Sequence, residues 1–223
     1  LDYPQWRGRD RDGSASGFVP PSRWPDTLTR RWRAEVGDGY ATPLVIGNVV
    51  YVFSRRDGRE QLSALDAGTG ARLWESGYEL RHTPTAPTAV HGSGPKATPV
   101  FHDGKVITLG ISGVVAAFEA QRGTLLWRTA EPTEAPFFTA ASSPVAAGRL
   151  AIMHPGNYGP LTAFDVSSGR EAWVAGGGGF FMPPTVVSLQ GIRQVVTVTQ
   201  AAVVGVAVED GRILWEFPWS GGR

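Results

Sequence analysis

Short apolar runs, interrupted by glycine, aspartate or proline, follow one another along most of this chain. Two examples are PLVIGNVVYVF, residues 43–53, and QVVTVTQAAVVGVAV, residues 194–208. Apolar runs of this kind, bounded by turn residues, are typical of β-strands. Because no segment shows the apolar period of an amphipathic helix, the pattern predicts an all-β fold.

The predicted strands belong to a repeat with the pattern Ala-x-Asp-x-x-x-Gly-x-x-x-Trp. Its glycine and tryptophan keep their spacing in every copy, whereas the aspartate is replaced by Glu119 in the second copy and Ala207 in the fourth. A small residue and a proline followed by a strand-like run precede each copy. Each unit therefore predicts four strands joined by turns. The four copies are ALDAGTGARLW (64–74), AFEAQRGTLLW (117–127), AFDVSSGREAW (163–173) and GVAVEDGRILW (205–215).

The residues of the repeat suit a tight turn followed by a docking side chain. A carboxylate such as that of Asp66 accepts backbone N–H groups in a turn, and the glycine takes a positive φ. The tryptophan is too large to bury within one small sheet, so we expect it to pack on the neighbouring unit. We assign this structural role to Trp32, Asp66, Gly70, Trp74, Gly123, Trp127, Asp165, Gly169, Trp173, Gly211 and Trp215.

Four-stranded units that recur about every 42 to 53 residues are typical of β-propeller blades. The sequence predicts about four antiparallel blades and a partial one, opened by Trp32. We place an N-terminal extension over residues 1–31 and a single propeller domain, an incomplete ring, over residues 32–223. Further sequence, a second chain or two paired copies would close such a ring. A closed ring of four or five blades is the other reading.

Composition and charge exclude several classes of protein. With 42% hydrophobic and 18% charged residues among 223, the chain can bury a core. Lys and Arg number 21 against 20 Asp and Glu, so no net field favours a nucleic acid partner. The absence of cysteine excludes disulfides, zinc thiolates and cysteine nucleophiles. No apolar run is long enough for a transmembrane segment, and the given sequence contains no signal peptide.

The repeat, the strand starts with Thr-Pro and the opening PQWRGRDRDG, residues 4–13, resemble the bacterial PQQ-like β-propeller repeat proteins. This superfamily includes quinoprotein alcohol dehydrogenases and the outer-membrane assembly lipoprotein BamB. The likeness covers nearly the whole chain. Since propellers of this family usually have about seven or eight blades, it implies that the chain is the N-terminal half of a longer propeller. It also implies a periplasmic or exported location.

The resemblance implies two functions. The first is a non-catalytic scaffold for binding or assembly, as in the BamB branch, whose partners are other proteins, a second propeller half or a second copy in a homodimer. The alternative is a PQQ-dependent dehydrogenase, or a remnant of one, with PQQ and calcium as cofactors. The resemblance would require vicinal cysteines and an Asn-Asp cluster for that chemistry, and this sequence has neither. We therefore expect no cofactor. A third reading is a module whose activity resides in other sequence.

The sequence predicts no catalytic set and no metal site, because its histidines lack the spacing of metal ligands. Ligand-binding candidates come instead from irregular segments. HGSGPKATP, residues 91–99, combines glycines with a lysine that could cradle an anion, and HPGNYG, residues 154–159, interrupts a strand end. Each candidate also has an ordinary reading as a polar group of a turn or strand. The candidates are His91, Lys96, His154, Asn157, Tyr158 and Gln200.

Overall fold

The computed structural model describes residues 2–15, 17–86, 88–134, 136–156, 158–179 and 181–219. They form four four-stranded sheets, in each of which neighbouring strands are consecutive and antiparallel. A single-turn 3-10 helix lies at Ala89–His91. Within the described ranges, no helix has the length and apolar character needed to cross a membrane. The all-β prediction of four-stranded propeller blades is thus confirmed.

The sheets are blades 1 to 4 in chain order. Blade 1 contains β1 (Leu44–Ile46), β2 (Val49–Arg56), β3 (Arg59–Asp66) and β4 (Arg72–Glu79). Blade 2 contains β5 (Val100–His102), β6 (Lys105–Leu109), β7 (Val115–Glu119) and β8 (Leu125–Arg128). Blade 3 contains β9 (Val145–Ala147), β10 (Leu150–Met153), β11 (Leu161–Asp165) and β12 (Glu171–Ala175). Blade 4 contains β13 (Thr185–Leu189), β14 (Ile192–Val198), β15 (Ala202–Ala207) and β16 (Ile213–Pro218).

The first strands of successive blades lie next to one another and form the inner wall. Just before β1, the amide of Thr42 donates to the hydroxyl of Thr98 at 3.2 Å. The amide of Thr98, before β5, donates in turn to the hydroxyl of Ser143 at 2.9 Å. These residues occupy equivalent positions in the repeat. The blades are therefore aligned, with corresponding loops on the same face of the molecule.

The core lies between blades rather than inside any one of them. One cluster of buried side chains joins blades 1 and 2, a second joins blades 2 and 3, and a third joins blades 3 and 4. Within the described residues, no core cluster joins blade 4 to blade 1. Since each sheet buries apolar side chains against its neighbours, the blades stabilise one another in series.

Tryptophan docking couples each blade to the next, as the repeat predicts. The Trp127 ring lies on Gly169 of blade 3, where an added Cβ would be 2.5 Å from the ring. Its indole N–H donates to the carbonyl of Val166 at 2.9 Å. Only glycine admits this approach, and its φ of 70° also favours glycine. The docked pairs are Trp32 on Gly70, Trp74 on Gly123, Trp127 on Gly169 and Trp173 on Gly211.

Trp215 differs from the other repeat tryptophans. Its ring lies on Gly205 of its own blade, and its indole N–H donates to the side-chain oxygen of Gln194 at 2.6 Å. Among the described residues, Trp215 contacts no turn of another blade. The same outward face of blade 4 carries Phe217, which is 67% exposed. Docking of Trp215 on a neighbouring unit therefore stays a prediction.

In blades 1 to 3, a carboxylate at the end of the third strand builds the turn that follows it. One oxygen of Asp66 accepts the amides of Gly68 and Thr69 at 3.0 and 2.8 Å and the Thr69 hydroxyl at 2.9 Å. These bonds, led by the Thr69 hydroxyl, hold the pKa of Asp66 below its ordinary value. Asp165 makes the same bonds, and Glu119 accepts two amides in the second copy. The carboxylates thus have the predicted turn role.

Residues 2–13 cross the inner wall of three blades. Tyr3 pairs with Val45 of β1, and the carbonyl of Pro4 accepts the amide of Phe101 in β5 at 2.7 Å. The guanidinium of Arg11 donates to the carbonyl of Pro144 at 3.0 Å, just before β9. Burial lowers the pKa of Arg11 to about 10, so it stays charged at neutral pH. The domain boundary at residue 31 stays a prediction, but this part of the extension is fixed to the blades.

Candidate functional site

The predicted ligand-binding residues that the structure describes share one face of the propeller. This face, the loop face, carries the turns after the second strand of each blade and the connections between blades. It holds two groups of candidates. His154, Tyr158 and Gln200 lie where blades 3 and 4 meet, whereas Lys96 and His91 lie on the connection from blade 1 to blade 2. Asn157 lies outside the described residues.

His154 is buried at the end of β10, 2% exposed. Its Nε2 lies 2.9 Å from the hydroxyl of Thr197, and its Nδ1 lies 3.3 Å from the carbonyl of Gly159. Gly179 packs directly on the ring. A neutral imidazole fits both contacts when Nδ1–H donates and Nε2 accepts. Burial lowers the pKa of His154 and favours this neutral form.

A glycine-rich segment, residues 176–179, connects the other two candidates of this group. The amide of Gly178 donates to the carbonyl of Tyr158 at 2.9 Å, and the amide of Gln200 donates to the carbonyl of Gly178 at 2.8 Å. The side chains of Tyr158 and Gln200 are exposed. The structure therefore brings His154, Tyr158 and Gln200 to one rim through backbone bonds.

A small cavity lies beside this rim, between blades 3 and 4. Its volume is about 180 Å³, and its polar lining side chains are His154, Thr197, Thr199 and Glu216. Apolar residues of β15, including Val204 and Val206, form much of the remaining wall. Because His154 and Thr197 bond to each other and the Thr199 hydroxyl donates to the carbonyl of Ala202, the cavity offers few free donors.

His91 and Lys96 do not share one site. His91 is exposed and its ring centroid lies 6.5 Å from that of Tyr40. The segment between them is held by backbone hydrogen bonds, because the carbonyl of Pro95 accepts the amide of Tyr40 at 2.8 Å. Lys96 is near His82 instead, whose pKa is lowered by burial and by the charges of Arg55 and Lys96. Their joint anion site stays a prediction that this geometry does not favour.

Four rings from three loops form an aromatic patch on the loop face. We define the patch as Phe137, Phe138, Tyr158 and Phe181. The ring centroids of Phe137 and Phe138 are 4.8 Å apart, those of Phe138 and Phe181 5.9 Å, and those of Tyr158 and Phe181 6.4 Å. Phe137 is 56% exposed and Tyr158 is 43% exposed. Apolar surface of this kind on a loop face is typical of a binding site.

Sequence reasoning missed a buried polar cluster between blades 1 and 2. The Glu60 carboxylate, fully buried in β3, accepts the Tyr78 hydroxyl and the Ile111 amide, each at 2.7 Å. Arg55, across the hairpin from Glu60, donates to the carbonyl of Leu80 at 2.6 Å. The sequence signal that could have revealed this cluster is the pair Arg55 and Glu60, two charged residues inside the strands on either side of an Asp-Gly turn.

The described residues do not fit a quinone with calcium. Calcium takes six to eight oxygen ligands, roughly, from carboxylates and carbonyls. No three His, Asp or Glu side chains in the described part of the chain converge as metal ligands. The carboxylates of Asp66 and Asp165 are used within their own turns, on the face opposite the loop face.

His154 predicts a pH dependence of stability. Its pKa is lower in the folded chain than the ordinary 6.5, so folding disfavours its protonation. The free energy of unfolding should therefore fall as the pH drops below 6.5 towards the folded pKa. His154→Gln offers a donor and an acceptor without titrating, and should flatten this fall in urea unfolding at pH 7 and pH 5. His102→Gln, at a half-buried histidine, is the control; an unchanged slope in His154→Gln would contradict the prediction.

Comparisons with known proteins agree with this architecture. The chain is 26% identical to outer membrane protein assembly factor BamB of Yersinia pestis over 203 residues, 84% of this chain and 47% of that protein. It is 30% identical to the dehydrogenase subunit of alcohol dehydrogenase (quinone) of Komagataeibacter europaeus over 147 residues, 59% of this chain and 19% of that protein. The chain thus spans at most about half the length of these relatives.

The fold and the family follow from two further matches. The structure of BamB from Moraxella catarrhalis superposes with a TM-score of 0.61 at 22% identity, over 84% of this chain and 54% of that one, and so shares its fold. The family model described as outer membrane protein assembly factor BamB matches residues 25–90 and 58–223. The chain therefore belongs to this family, as the repeat and its resemblance predict.

Proposed function

We propose that this chain is part of a propeller that binds another protein in the cell envelope and acts as an assembly scaffold. The observation that carries the proposal is the aromatic patch, in which rings from three loops contact one another and Phe137, Phe138 and Tyr158 are exposed. The similarity to outer membrane protein assembly factor BamB supports the kind of partner, a protein that itself undergoes assembly at the outer membrane. It also supports a periplasmic or exported location.

The patch suits a protein partner for physical reasons. Rigid aromatic side chains provide large contact areas with little loss of conformational entropy, and they are common at the centres of interfaces. The loops that carry them are attached to a stacked set of blades. Phe137 is further held by its carbonyl, which accepts the Thr85 hydroxyl at 2.8 Å. The rings therefore face the partner on a nearly preorganised surface.

A capture experiment tests this proposal. The tagged chain should retain one defined envelope protein from solubilised membranes, and the double variant Phe137→Ser, Phe138→Ser should retain it at least about tenfold less well. Leu126→Ser with Val174→Ser, on outer strands, removes similar exposed apolar area and should leave capture unchanged. Equal capture by both double variants would refute the patch as the binding site.

The relative from Komagataeibacter europaeus favours a PQQ-dependent dehydrogenase as the second candidate. The donor set described above does not fit calcium, so no step of that chemistry is assigned to these residues. A titration of the purified chain with PQQ and calcium, followed by absorbance and then by dye reduction with an alcohol, tests it directly. Saturable binding with turnover would replace the scaffold proposal.

Ring closure by a second copy meets a specific obstacle. Trp32 already occupies the docking position on Gly70 of blade 1. The Trp215 ring of a second copy has no access to that position while Trp32 stays there. We therefore propose that a further blade, rather than blade 1 of a second copy, covers the outward face of blade 4. A dimeric mass in light scattering that persists in Trp215→Ala would count against this arrangement.

A further inference from the structure

A groove lies on the loop face, where the chain leaves blade 1 towards blade 2. It has a volume of about 590 Å³ and follows the residues that leave β4, opposite the turn between β2 and β3. Arg55 and His82 contribute to its wall, together with the exposed side chains of Asp57, Glu79 and Arg81. None of these residues belongs to the aromatic patch or to the rim near His154.

Two buried nitrogen atoms at this groove lack a hydrogen-bond partner within the described chain. They are Nη1 of Arg55 and Nε2 of His82. Arg55 as a whole is only 8% exposed, and its other terminal nitrogen donates to the carbonyl of Leu80. A buried N–H group without an acceptor is unfavourable, and more so when it carries charge. A hydrogen-bond acceptor next to these two atoms would therefore be stabilising.

The contact on the far side of the His82 ring indicates which atom donates. Nδ1 of His82 lies 3.3 Å from the hydroxyl of Ser112, in the loop between β6 and β7. When this hydroxyl donates to Nδ1, the neutral ring carries its proton on Nε2. His82 then presents a donor, like Arg55, and a ligand with acceptor oxygens would satisfy both.

Positive charge gathers around His82. Burial lowers its pKa, and the charges of Arg55 and Lys96 lower it further. Within the described residues, neither Arg55 nor Lys96 takes part in an ion pair. The nearest buried carboxylate, Glu60, already accepts two hydrogen bonds from other groups. The cations are therefore not neutralised by close contacts of their own.

We propose that this groove binds a small oxyanion, a carboxylate or a phosphate group, through Arg55 and His82, which line it, with the charge of Lys96 nearby. The guanidinium and the ammonium supply the charge, and the imidazole supplies a directed N–H donor. Three separate segments provide these groups: β2, the residues after β4, and the residues before β5. The site lies beyond the proposed function, since it does not include the aromatic patch.

Titration of the purified chain with inorganic phosphate, and separately with acetate, tests the site. The ring signals of His82 in nitrogen-detected NMR should shift with saturation, and the pKa of His82 should rise when the anion is bound. Lys96→Gln and His82→Gln should each weaken binding about tenfold. Arg81→Gln removes an exposed charge from the same groove and should change affinity less than about twofold.

Each outcome decides the matter. Saturation with phosphate alone assigns a phosphate group, and saturation with acetate alone assigns a carboxylate. If neither anion gives a saturable shift up to roughly 10 mM, the proposed site is wrong. An effect of Arg81→Gln equal to that of Lys96→Gln would also overturn it, since attraction would then be diffuse. If His82→Gln melts early, the Lys96→Gln titration and the wild-type NMR still decide.

Discussion

Trp173→Ala is expected to lower the free energy of unfolding by about 3 to 5 kcal/mol, the cost of removing a large buried aromatic side chain. Trp173 is 8% exposed and lies on Gly211 of the next blade. Its indole N–H donates to the carbonyl of Val208 at 2.9 Å. The change would leave a cavity between blades 3 and 4 and an acceptor without its donor. Chemical unfolding followed by circular dichroism measures the loss.

Trp215→Ala is the matched control because it removes the same side chain from the equivalent position in blade 4. Trp215 contacts only its own blade among the four, so its loss should cost about 1 kcal/mol. The difference between the two variants isolates the contribution of docking on a neighbouring blade. Similar losses in both would mean that the tryptophans stabilise their own sheets instead.

Glu60→Ala is expected to destabilise the chain by about 3 to 5 kcal/mol, because it leaves buried polar groups without an acceptor. The Tyr78 hydroxyl and the Ile111 amide would both lose their partner, and Arg55 would lose a nearby charge. Gly110 packs directly on the carboxylate, so the gap is enclosed. Urea unfolding of both proteins at neutral pH measures the effect.

Two comparisons make the Glu60 result specific. Glu75→Ala removes a partly exposed carboxylate of the same blade, which accepts the Ser63 hydroxyl at 2.9 Å, and should cost less than about 1 kcal/mol. Burial raises the pKa of Glu60 above 4.5, so the part of the stability that depends on its protonation is full below that pH and is lost as the pH rises through the folded pKa. Glu60→Gln should abolish this loss. A cost for Glu60→Ala no larger than that for Glu75→Ala would contradict a buried network.

The repeat could be predicted from sequence because its contacts are local or recur at a fixed spacing. Asp66 bonds to amides two and three residues ahead, so the residue pattern alone specifies the turn. Trp127 meets Gly169 because each blade repeats the geometry of the last. The glycine and tryptophan recur in every copy and a carboxylate recurs in the first three, so the pattern describes both contacts.

The polar groups between blades could not be predicted in this way. The carboxylate of Glu60 in blade 1 accepts the amide of Ile111 in blade 2, and neither residue belongs to the repeated pattern. The sequence predicts no role for His82, because no other histidine lies at the spacing of metal ligands. The charges that act on it belong to Arg55 and Lys96, which lie on other segments. Conversely, His91 and Lys96 are close in sequence, yet the loop between them turns their side chains to different neighbours.

The N-terminal segment on the inner wall has a consequence for the order of folding. Arg11 bonds to Pro144, 133 residues away, whereas the docked tryptophans Trp32, Trp127 and Trp173 bond to carbonyls 35 to 39 residues away. Closing a short loop costs less entropy and happens faster than closing a long one. Blades 1 to 3 must therefore form and align before residues 2–13 find all their partners. Residues 2–13 are thus among the last to reach their native positions, and they fasten three blades that formed without them.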